Sequence, residues 1–250
     1  VLAIGESGKG KTRLLGTLAQ AAPTVVLTAD RRGLDTLAGM TFQQEPEIVL
    51  AEDWTDPWAI YDQIAKLAAT HRYLALDDLG ALQEVIERKL RGAPRDREEE
   101  RMRSDRRTDM VRQSLMSGGR RLIMAQWGEL DIAINSFLGE LMALPYKAVF
   151  VTVLEDVREH PRTGLQQVYP GLVGGIRDDL MARFSLVINL FNAEIRDGQV
   201  AWVASCRPHP RLPNKTRYGV PRTWINPDGP RLLRHVMRKE GEADLETAEE

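Results

Sequence analysis

The chain has 250 residues, and its 34 Lys and Arg against 36 Asp and Glu give a formal net charge of −2. With 43% hydrophobic residues it can form a buried core, which excludes disorder throughout. The near-zero charge excludes a uniformly basic nucleic-acid-binding protein, so phosphate backbones could be met only by local basic patches. A single cysteine, Cys206, excludes an intramolecular disulfide and favours a reducing, cytoplasmic setting. Apolar stretches are far shorter than the about 20 residues of a membrane helix, so no membrane partner is expected.

The first predicted elements are a strand, a glycine-rich loop and a helix. Residues 1–4 are typical of the end of a buried strand, GESGKGKT at 5–12 matches G-x-x-x-x-G-K-[ST], and 13–20 has helical apolar spacing. In this motif backbone N–H groups and the helix N-terminus bind phosphates. Lys11 would reach the β- and γ-phosphates, and Thr12 would place its hydroxyl on Mg²⁺. The predicted nucleotide-binding residues are Gly5, Glu6, Ser7, Gly8, Lys9, Gly10, Lys11, Thr12 and Arg13.

Two strands and a helix are predicted next along the chain. Residues 23–30 read as a β-branched strand that ends at Asp30, and residues 48–50 read as a short strand. Residues 58–69 carry apolar side chains at helical spacing. This alternation is typical of a parallel sheet with flanking helices.

A second buried strand runs directly into two carboxylates. Residues 73–76 are apolar or aromatic, and Asp77 and Asp78 follow them. Because ligands of open α/β sheets bind at the carboxyl ends of the strands, Asp77 is predicted to hold Mg²⁺ together with Thr12, usually through water, with Asp78 beside it. Guanine-specific P-loop proteins use an Asn-Lys-x-Asp run, whereas NKT at 214–216 is followed by arginine, so ATP is the expected nucleotide.

The remaining predicted elements continue the alternation. They are a charged insertion at 88–109, helices at 110–116 and 131–144, a buried strand at 147–154, and strands at 184–191 and 200–205 joined by a turn at 197–198. We therefore predict an α/β fold with a mostly parallel sheet flanked by helices and a C-terminal antiparallel hairpin at one edge. One domain is expected at 1–225, followed by an extension at 226–250 whose acidic end is expected to be disordered.

The order of these motifs resembles the RecA-like P-loop ATPase core. LTADRRGLD at 27–35 is similar to the RecA segment where an acidic residue activates water, and Asp77 falls at the acidic strand end. The strand at 147–154 falls before the position of the second DNA-binding loop of that family, and the polar, glycine-containing stretch 155–175 would be that loop.

A closer resemblance is to phage nucleotide-binding proteins related to RecA, including single-strand-annealing ATPases of phage recombination modules. It is carried by QWGEL at 126–130, PGLVGG at 170–175 and FSLV at 184–187, and it covers about residues 1–225. That group usually has a histidine directly before the glutamate that ends the strand, whereas here Leu154 precedes Glu155.

The resemblance implies Mg²⁺-dependent ATP hydrolysis with a carboxylate as general base, although turnover could be weak. Asp30 and Glu155 are the main candidates and Asp78 is a further one, together with Lys11 as a catalytic cation. Two arginines follow Asp30, where RecA-like proteins often carry the catalytic glutamate, so the identity of the base stays open. A base must lie within hydrogen-bond reach of the attacking water, which the sequence does not fix.

The resemblance also implies a homo-oligomer, either a filament or a ring, in which one subunit completes the site of the next. Lys215 and Arg217 follow the last predicted strand, where RecA-like proteins carry lysines that cross the interface, so they are the trans-acting candidates. A basic, solvated loop is the alternative interpretation of this segment.

Contact with single-stranded DNA is expected from the stretch at 155–175. Basic and amide side chains suit phosphates, and an aromatic ring can stack on a base. The predicted DNA-binding residues are Arg158, Arg162, Gln166, Tyr169 and Arg177. The charged insertion falls at the position of a first DNA loop, but its mixture of signs is also typical of a solvated surface.

Together these features predict an ATP-binding protein that binds single-stranded DNA and promotes annealing or strand exchange in phage-type homologous recombination. Hydrolysis would be stimulated by DNA, a single-strand-binding protein is a further expected partner, and the setting would be the bacterial cytoplasm. Two alternatives stay open: a ring-forming DNA motor, such as a helicase or packaging ATPase, and a nucleotide-dependent assembly switch that does not bind DNA.

Overall fold

A computed structural model describes residues 1–52, 55–92, 122, 124–159, 164–195, 198–206, 209, 211–212, 214–216 and 220–237. The predicted helix at 110–116, most of the charged insertion and the acidic end of the chain lie outside these ranges. So do Arg162 and Arg217, which were assigned to DNA and to the subunit interface.

The described residues form strands and helices in alternation, with the antiparallel strands late in the chain. The strands are β1 (Leu2–Gly5), β2 (Thr24–Thr28), β3 (Glu47–Leu50), β4 (Tyr73–Leu76), β5 (Ala148–Glu159), β6 (Gln166–Pro170), β7 (Leu186–Glu194), β8 (Val200–Ser205), β9 (Lys215–Thr216) and β10 (Thr223–Ile225). The helices are α1 (Lys11–Ala21), α2 (Leu34–Ala38), α3 (Pro57–Leu67), α4 (Leu79–Gly92), α5 (Met124–Ala143), α6 (Gly174–Arg183) and α7 (Gly229–Met237). A short 3-10 turn at Arg31–Gly33 precedes α2.

The sheet confirms the predicted fold class. Its strand order is β10-β8-β7-β1-β5-β4-β2-β3, and all neighbouring pairs from β7 to β3 are parallel. The predicted hairpin forms between β7 and β8, but β10 continues the antiparallel part and is the outermost strand on that side. The sequence analysis did not predict β10 or α7, and α7 packs against α1.

Alternate side chains of the central strands fill the two layers of the core. On β4, Leu74 and Leu76 join a cluster with residues of α3, α4, α5 and α6, whereas Tyr73 and Ala75 join a cluster with residues of α1, α2 and α7. This follows from the period of two in a strand, which points successive side chains to opposite faces. Burial on both faces explains why β1, β2 and β4 read as nearly continuous apolar runs.

The register of the parallel strands brings three connections to one edge of the sheet. Gly5 at the end of β1 pairs with Leu154, and Leu76 at the end of β4 pairs with Val151. The glycine-rich loop, the carboxylates after β4 and Glu155 therefore lie at the same edge, which is the expected position of a ligand site.

Residues 155–159 and 166–170 of the stretch predicted as a loop at 155–175 are two paired strands, so the interpretation of these residues as a loop was wrong. β5 continues to Glu159 and pairs with the antiparallel β6, with Val157 opposite Val168 and Asp156 opposite Tyr169. Cross-strand pairs of apolar and aromatic side chains favour a ladder over an irregular loop. Among the described helices, none has the length and apolar character needed to cross a membrane.

Candidate nucleotide-binding site

The glycine-rich loop depends on backbone conformations that glycine adopts readily. Gly8 and Gly10 have φ angles of 75° and 85°, in the left-handed region. A Cβ atom on Gly10 would also lie 2.9 Å from Cδ1 of Trp202. The motif glycine directly before α1 is thus required both by the turn and by the ring packed against it.

Lys11 begins α1 and turns back into the loop. It is 8% exposed, and its Nζ donates hydrogen bonds to the backbone oxygens of Gly5 at 2.8 Å and Glu6 at 2.9 Å. Burial lowers the pKa of Lys11, while Asp78, Asp77 and Glu155 act in the opposite direction. The loop therefore holds a cation at its centre with carboxylates around it.

Thr12 and Asp77, which the sequence analysis paired as Mg²⁺ ligands, are in direct contact although they lie 65 positions apart. The Thr12 Oγ1 donates to Asp77 Oδ2 at 2.7 Å. The other carboxylate oxygen, Asp77 Oδ1, accepts from Thr152 Oγ1 at 2.6 Å. Thr152 is fully buried on β5 and was not singled out in the sequence.

The oxygen atoms gathered here fit Mg²⁺. A hydroxyl and a carboxylate are hard donors, and Mg²⁺ in nucleotide sites takes one or two such protein ligands with phosphate oxygens and water. The described residues contain no group of three or more His, Cys, Asp or Glu side chains that could hold a metal ion. A Cβ atom on Gly33 would approach Asp77 Oδ2 to 3.2 Å, so a side chain at that position would crowd the same oxygens.

The three candidate bases differ in their surroundings. Asp30 Oδ1 accepts from the Arg32 N–H at 3.0 Å and from Arg32 Nε at 3.1 Å, and these hydrogen bonds lower the pKa of Asp30. Burial raises the pKa of Asp78, whose Oδ1 accepts from the N–H groups of Gly80 at 2.5 Å and Ala81 at 3.3 Å.

Burial also raises the pKa of Glu155, and the charge of Glu6 adds to the effect, while Lys11 and Lys9 oppose it. A carboxylate with a raised pKa is a better proton acceptor than one whose pKa is lowered. The pKa directions therefore favour Asp78 and Glu155 as proton acceptors, but of the three only Asp30 and Asp78 line the cavity at the phosphate loop, so the identity of the base stays a prediction.

A cavity at the phosphate loop has a volume of about 880 Å³, which is within the usual range for small-molecule sites. It is lined by most of the predicted nucleotide-binding, metal-binding and catalytic residues. Its lining includes Ser7, Gly8, Gly10, Lys11, Thr12, Arg13, Asp30, Asp77 and Asp78. Leu154 also lines it, whereas Glu155 does not. Arg88, which the sequence analysis placed in the charged insertion, lies on α4 and lines this cavity.

A row of polar side chains connects α4 with the start of α6. The Gln83 Oε1 accepts from the Val173 N–H at 3.1 Å, and Gln83 Nε2 donates to Glu87 Oε1 at 2.9 Å. Arg91 Nη2 then donates to Glu87 Oε2 at 2.8 Å. Gln83 and Glu87 are buried, whereas Arg91 is exposed at the end of the row. The i, i+4 spacing of these three polar residues was the available sequence signal.

The predicted DNA-binding residues do not all lie on one face of the β5–β6 hairpin. Residues opposite each other in a ladder share a face, and successive residues of a strand alternate between the two faces. Tyr169 lies opposite Asp156, two residues before Arg158, so Tyr169 and Arg158 lie on one face. Gln166 lies opposite Glu159, on the other face. Arg177 reaches the first face, where its guanidinium lies 5.0 Å from the centre of the Tyr169 ring. Arg158 is paired with Asp156 at 2.5 Å, which reduces the positive charge of that face.

The side chain of Lys215 makes hydrogen bonds within its own chain. Its Nζ donates to the backbone oxygens of Ala182 at 3.0 Å and Met181 at 3.5 Å, where α6 ends. A cation at this position stabilises the negative end of the helix dipole. Its role across a subunit interface stays a prediction.

The comparisons with known proteins add little to this picture. No protein-family model matches the chain, and no curated protein is significantly similar to it. Among solved structures, the RadB recombinase is similar with 13% identity over 84% of this chain and 82% of that chain, with a TM-score of 0.39. What the site can do therefore has to follow from its own geometry.

Proposed function

We propose that the chain is a RecA-like ATPase that binds ATP with Mg²⁺ and acts on single-stranded DNA in homologous recombination. The observation that carries the ATPase part is the convergence of Lys11, Thr12 and Asp77. The 2.7 Å contact between the Thr12 hydroxyl and Asp77 joins two separate sequence motifs at one edge of the sheet. That arrangement is the one that phosphoryl transfer requires, since positioning and charge stabilisation supply most of the catalysis.

Each residue has a definite task in hydrolysis. The N–H groups of the loop bind the phosphates, and the Lys11 ammonium offsets the charge that develops on the γ-phosphoryl oxygens. Thr12 and Asp77 would hold Mg²⁺, which would supply positive charge to the phosphates. Thr152 fixes the Asp77 carboxylate by its hydrogen bond. Asp78, which combines a raised pKa with a place in the cavity, is our first candidate to take the proton of the attacking water, and Asp30 and Glu155 are the alternatives.

The DNA part of the proposal depends on the face formed by Arg158, Tyr169 and Arg177. Arg158 lies on the same long strand, β5, that carries Thr152 and Glu155, and Tyr169 and Arg177 lie on the next strand and helix, β6 and α6. A basic surface with an aromatic ring suits the backbone and bases of a single strand. Annealing or strand exchange, a phage origin and a single-strand-binding partner are supported by the sequence resemblance.

The proposed oligomer would add a cation from a neighbouring subunit. Lys215 would have to leave the carbonyl groups of α6 to serve there, so we favour Arg217 for the contact. A variant pair tests it: Arg217→Ala mixed with Lys11→Ala should recover activity in mixed assemblies. If the mixture is no more active than its parts, the contact between subunits is excluded.

The decisive experiment measures ATP binding and hydrolysis with and without single-stranded DNA. Lys11→Ala should abolish hydrolysis, and Lys66→Ala, on α3 away from the site, is the matched control. A wild-type chain that binds no ATP would contradict the ATPase proposal. Arg158→Ala should lower the slope of log affinity for DNA against log salt by about 1, because one phosphate contact is lost.

A switch that does not bind DNA is the second candidate, and one observation favours it. The pairing of Arg158 with Asp156 on the hairpin partly neutralises the face that would meet DNA. Such a switch would bind ATP normally but show no DNA binding at low salt and no stimulation of hydrolysis by DNA. The experiment above therefore separates the two functions.

A further inference from the structure

A second, smaller cavity lies beside the phosphate loop. Its volume is about 280 Å³, near the lower limit for small-molecule pockets. One wall is a single face of α1, formed by Gly10, Arg13, Leu14 and Thr17 at spacings of three and four residues. The opposite wall contains Trp202 from β8 and the connection between β10 and α7 at residues 226–228.

The two cavities adjoin each other. Gly10, Arg13 and Trp202 line both of them. A molecule whose phosphates occupy the loop would therefore extend past Arg13 into the smaller cavity. The part of a nucleotide that extends away from its phosphates is the ribose and the base.

The wall opposite α1 is held in place by hydrogen bonds. The Asn226 N–H donates to the Trp202 backbone oxygen at 2.7 Å, and the Gly229 N–H donates to Thr17 Oγ1 at 2.7 Å. Asp228 Oδ1 accepts from the Arg231 N–H at 2.8 Å at the start of α7. The pocket is therefore formed before any ligand enters, which reduces the entropy cost of binding.

The chemistry of the pocket suits a flat, aromatic ligand with amino groups. The guanidinium of Arg13 lies 4.3 Å from the centre of the Trp202 ring, and such planar cations and indole rings both stack on nucleobases. Asn226 and Asp228 bring an amide and a carboxylate to the rim. A carboxylate accepts hydrogen bonds from the exocyclic amino group of a purine.

We propose that this cavity binds the purine base of the nucleotide, stacked on the outer face of the Trp202–Arg13 pair, with Asn226 and Asp228 at its edge. The proposal rests on the proposed function, because the phosphates of the same nucleotide must occupy the loop. Trp202, which lies far along the chain from the motif, would then contact the base and so distinguish a nucleotide from a bare polyphosphate.

The test compares ADP with inorganic tripolyphosphate, both with Mg²⁺, by titration calorimetry. Trp202→Leu should weaken ADP binding about tenfold, the scale of one lost stacking contact, and change tripolyphosphate binding by less than about twofold. Trp202→Phe should retain most of the ADP affinity because it keeps an aromatic face. Trp58→Leu is the matched control, since Trp58 is 63% exposed on α3.

A second measurement covers the case in which Trp202→Leu does not fold. ADP should change the tryptophan fluorescence of the wild-type chain, tripolyphosphate should not, and the change should disappear in Trp202→Phe. Equal effects of Trp202→Leu on both ligands, or no effect on either, would overturn the base pocket and leave the ATPase intact. A wild-type chain that binds neither ligand would instead overturn the proposed function itself.

Discussion

The hydroxyl of Thr152 should determine how well the site holds Mg²⁺, and Thr152→Val tests this with almost no change in shape. Thr152 is fully buried, and the substitution removes the hydroxyl that donates to Asp77 Oδ1 at 2.6 Å and has a longer contact, 3.4 Å, with the backbone oxygen of Leu76. A hydrogen bond to a charged group contributes about 1.5–3 kcal/mol, and the carboxylate that loses it remains 6% exposed. We therefore expect the free energy of unfolding to fall by about 1.5–3 kcal/mol.

The effect on metal binding follows from the same contact. Residues that orient a metal ligand typically change metal affinity about 10- to 100-fold when they are replaced. In the variant, the Mg²⁺ concentration at half-maximal nucleotide binding should rise by about tenfold or more. Nucleotide binding can be followed by calorimetry at a series of Mg²⁺ concentrations, and unfolding by urea titration.

Thr24→Val provides the matched control. Thr24 is also buried, on β2, but its hydroxyl donates to the neutral backbone oxygen of Ala22 at 2.8 Å. It should lose about 1 kcal/mol of stability and leave the Mg²⁺ requirement unchanged. If Thr152→Val and Thr24→Val show the same Mg²⁺ dependence, the hydroxyl does not orient Asp77 and the assigned role is wrong.

Three further predictions concern the loop, the base and the cysteine. Gly10→Ala should destabilise the fold by about 1–2 kcal/mol, because Gly10 has a left-handed φ, and should abolish nucleotide binding. Gly128→Ala on α5, where a Cβ meets nothing within 4 Å, should instead add about 0.5–1 kcal/mol of stability. Thermal unfolding measures both changes. The pKa values of Asp78 and Glu155 are raised, and a base must be ionised to accept a proton, so the rate of hydrolysis should rise with pH above the ordinary carboxylate range. This rising limb of the pH profile should be absent from Asp78→Asn if Asp78 is the base and from Glu155→Gln if Glu155 is the base. Loss of the limb in neither variant would exclude both residues. Burial raises the pKa of Cys206 to about 12, so a disulfide reagent should label this thiol only as fast as the chain unfolds. Rapid labelling of the folded protein would contradict this expectation.

The phosphate loop and the strand before Asp77 were predictable because each is a short, contiguous pattern. Residues whose roles depend on the order of the strands in the sheet were not predictable in this way. Thr152 meets Asp77 only because β5 lies between β4 and β1, and periodicity does not reveal which strands are neighbours. Trp202 reaches the loop for a similar reason, since β8 lies two strands from β1 across β7. Arg88 was assigned to an insertion because charge density hid the helical register that turns it toward the cavity.

The hairpin at β5 and β6 was missed for a different reason. Its composition of glycine, arginine and glutamine is typical of a loop, and the alternation of Val157 and Val168 with polar residues is weak in each strand alone. The ladder becomes favourable only when the two strands face each other, as cross-strand pairing energies require both partners.

The central position of β1 has a consequence for how the protein is made. β1 leaves the ribosome before the other strands of this sheet that the structure describes, yet Leu2 pairs with Val151 on one side and Val187 on the other. Pairs so distant along the chain form late and slowly, because the intervening chain must be ordered first. We expect nascent chains that stop before β7 to lack nucleotide binding although they contain the whole glycine-rich motif, so the motif becomes functional only after much later strands have been synthesised.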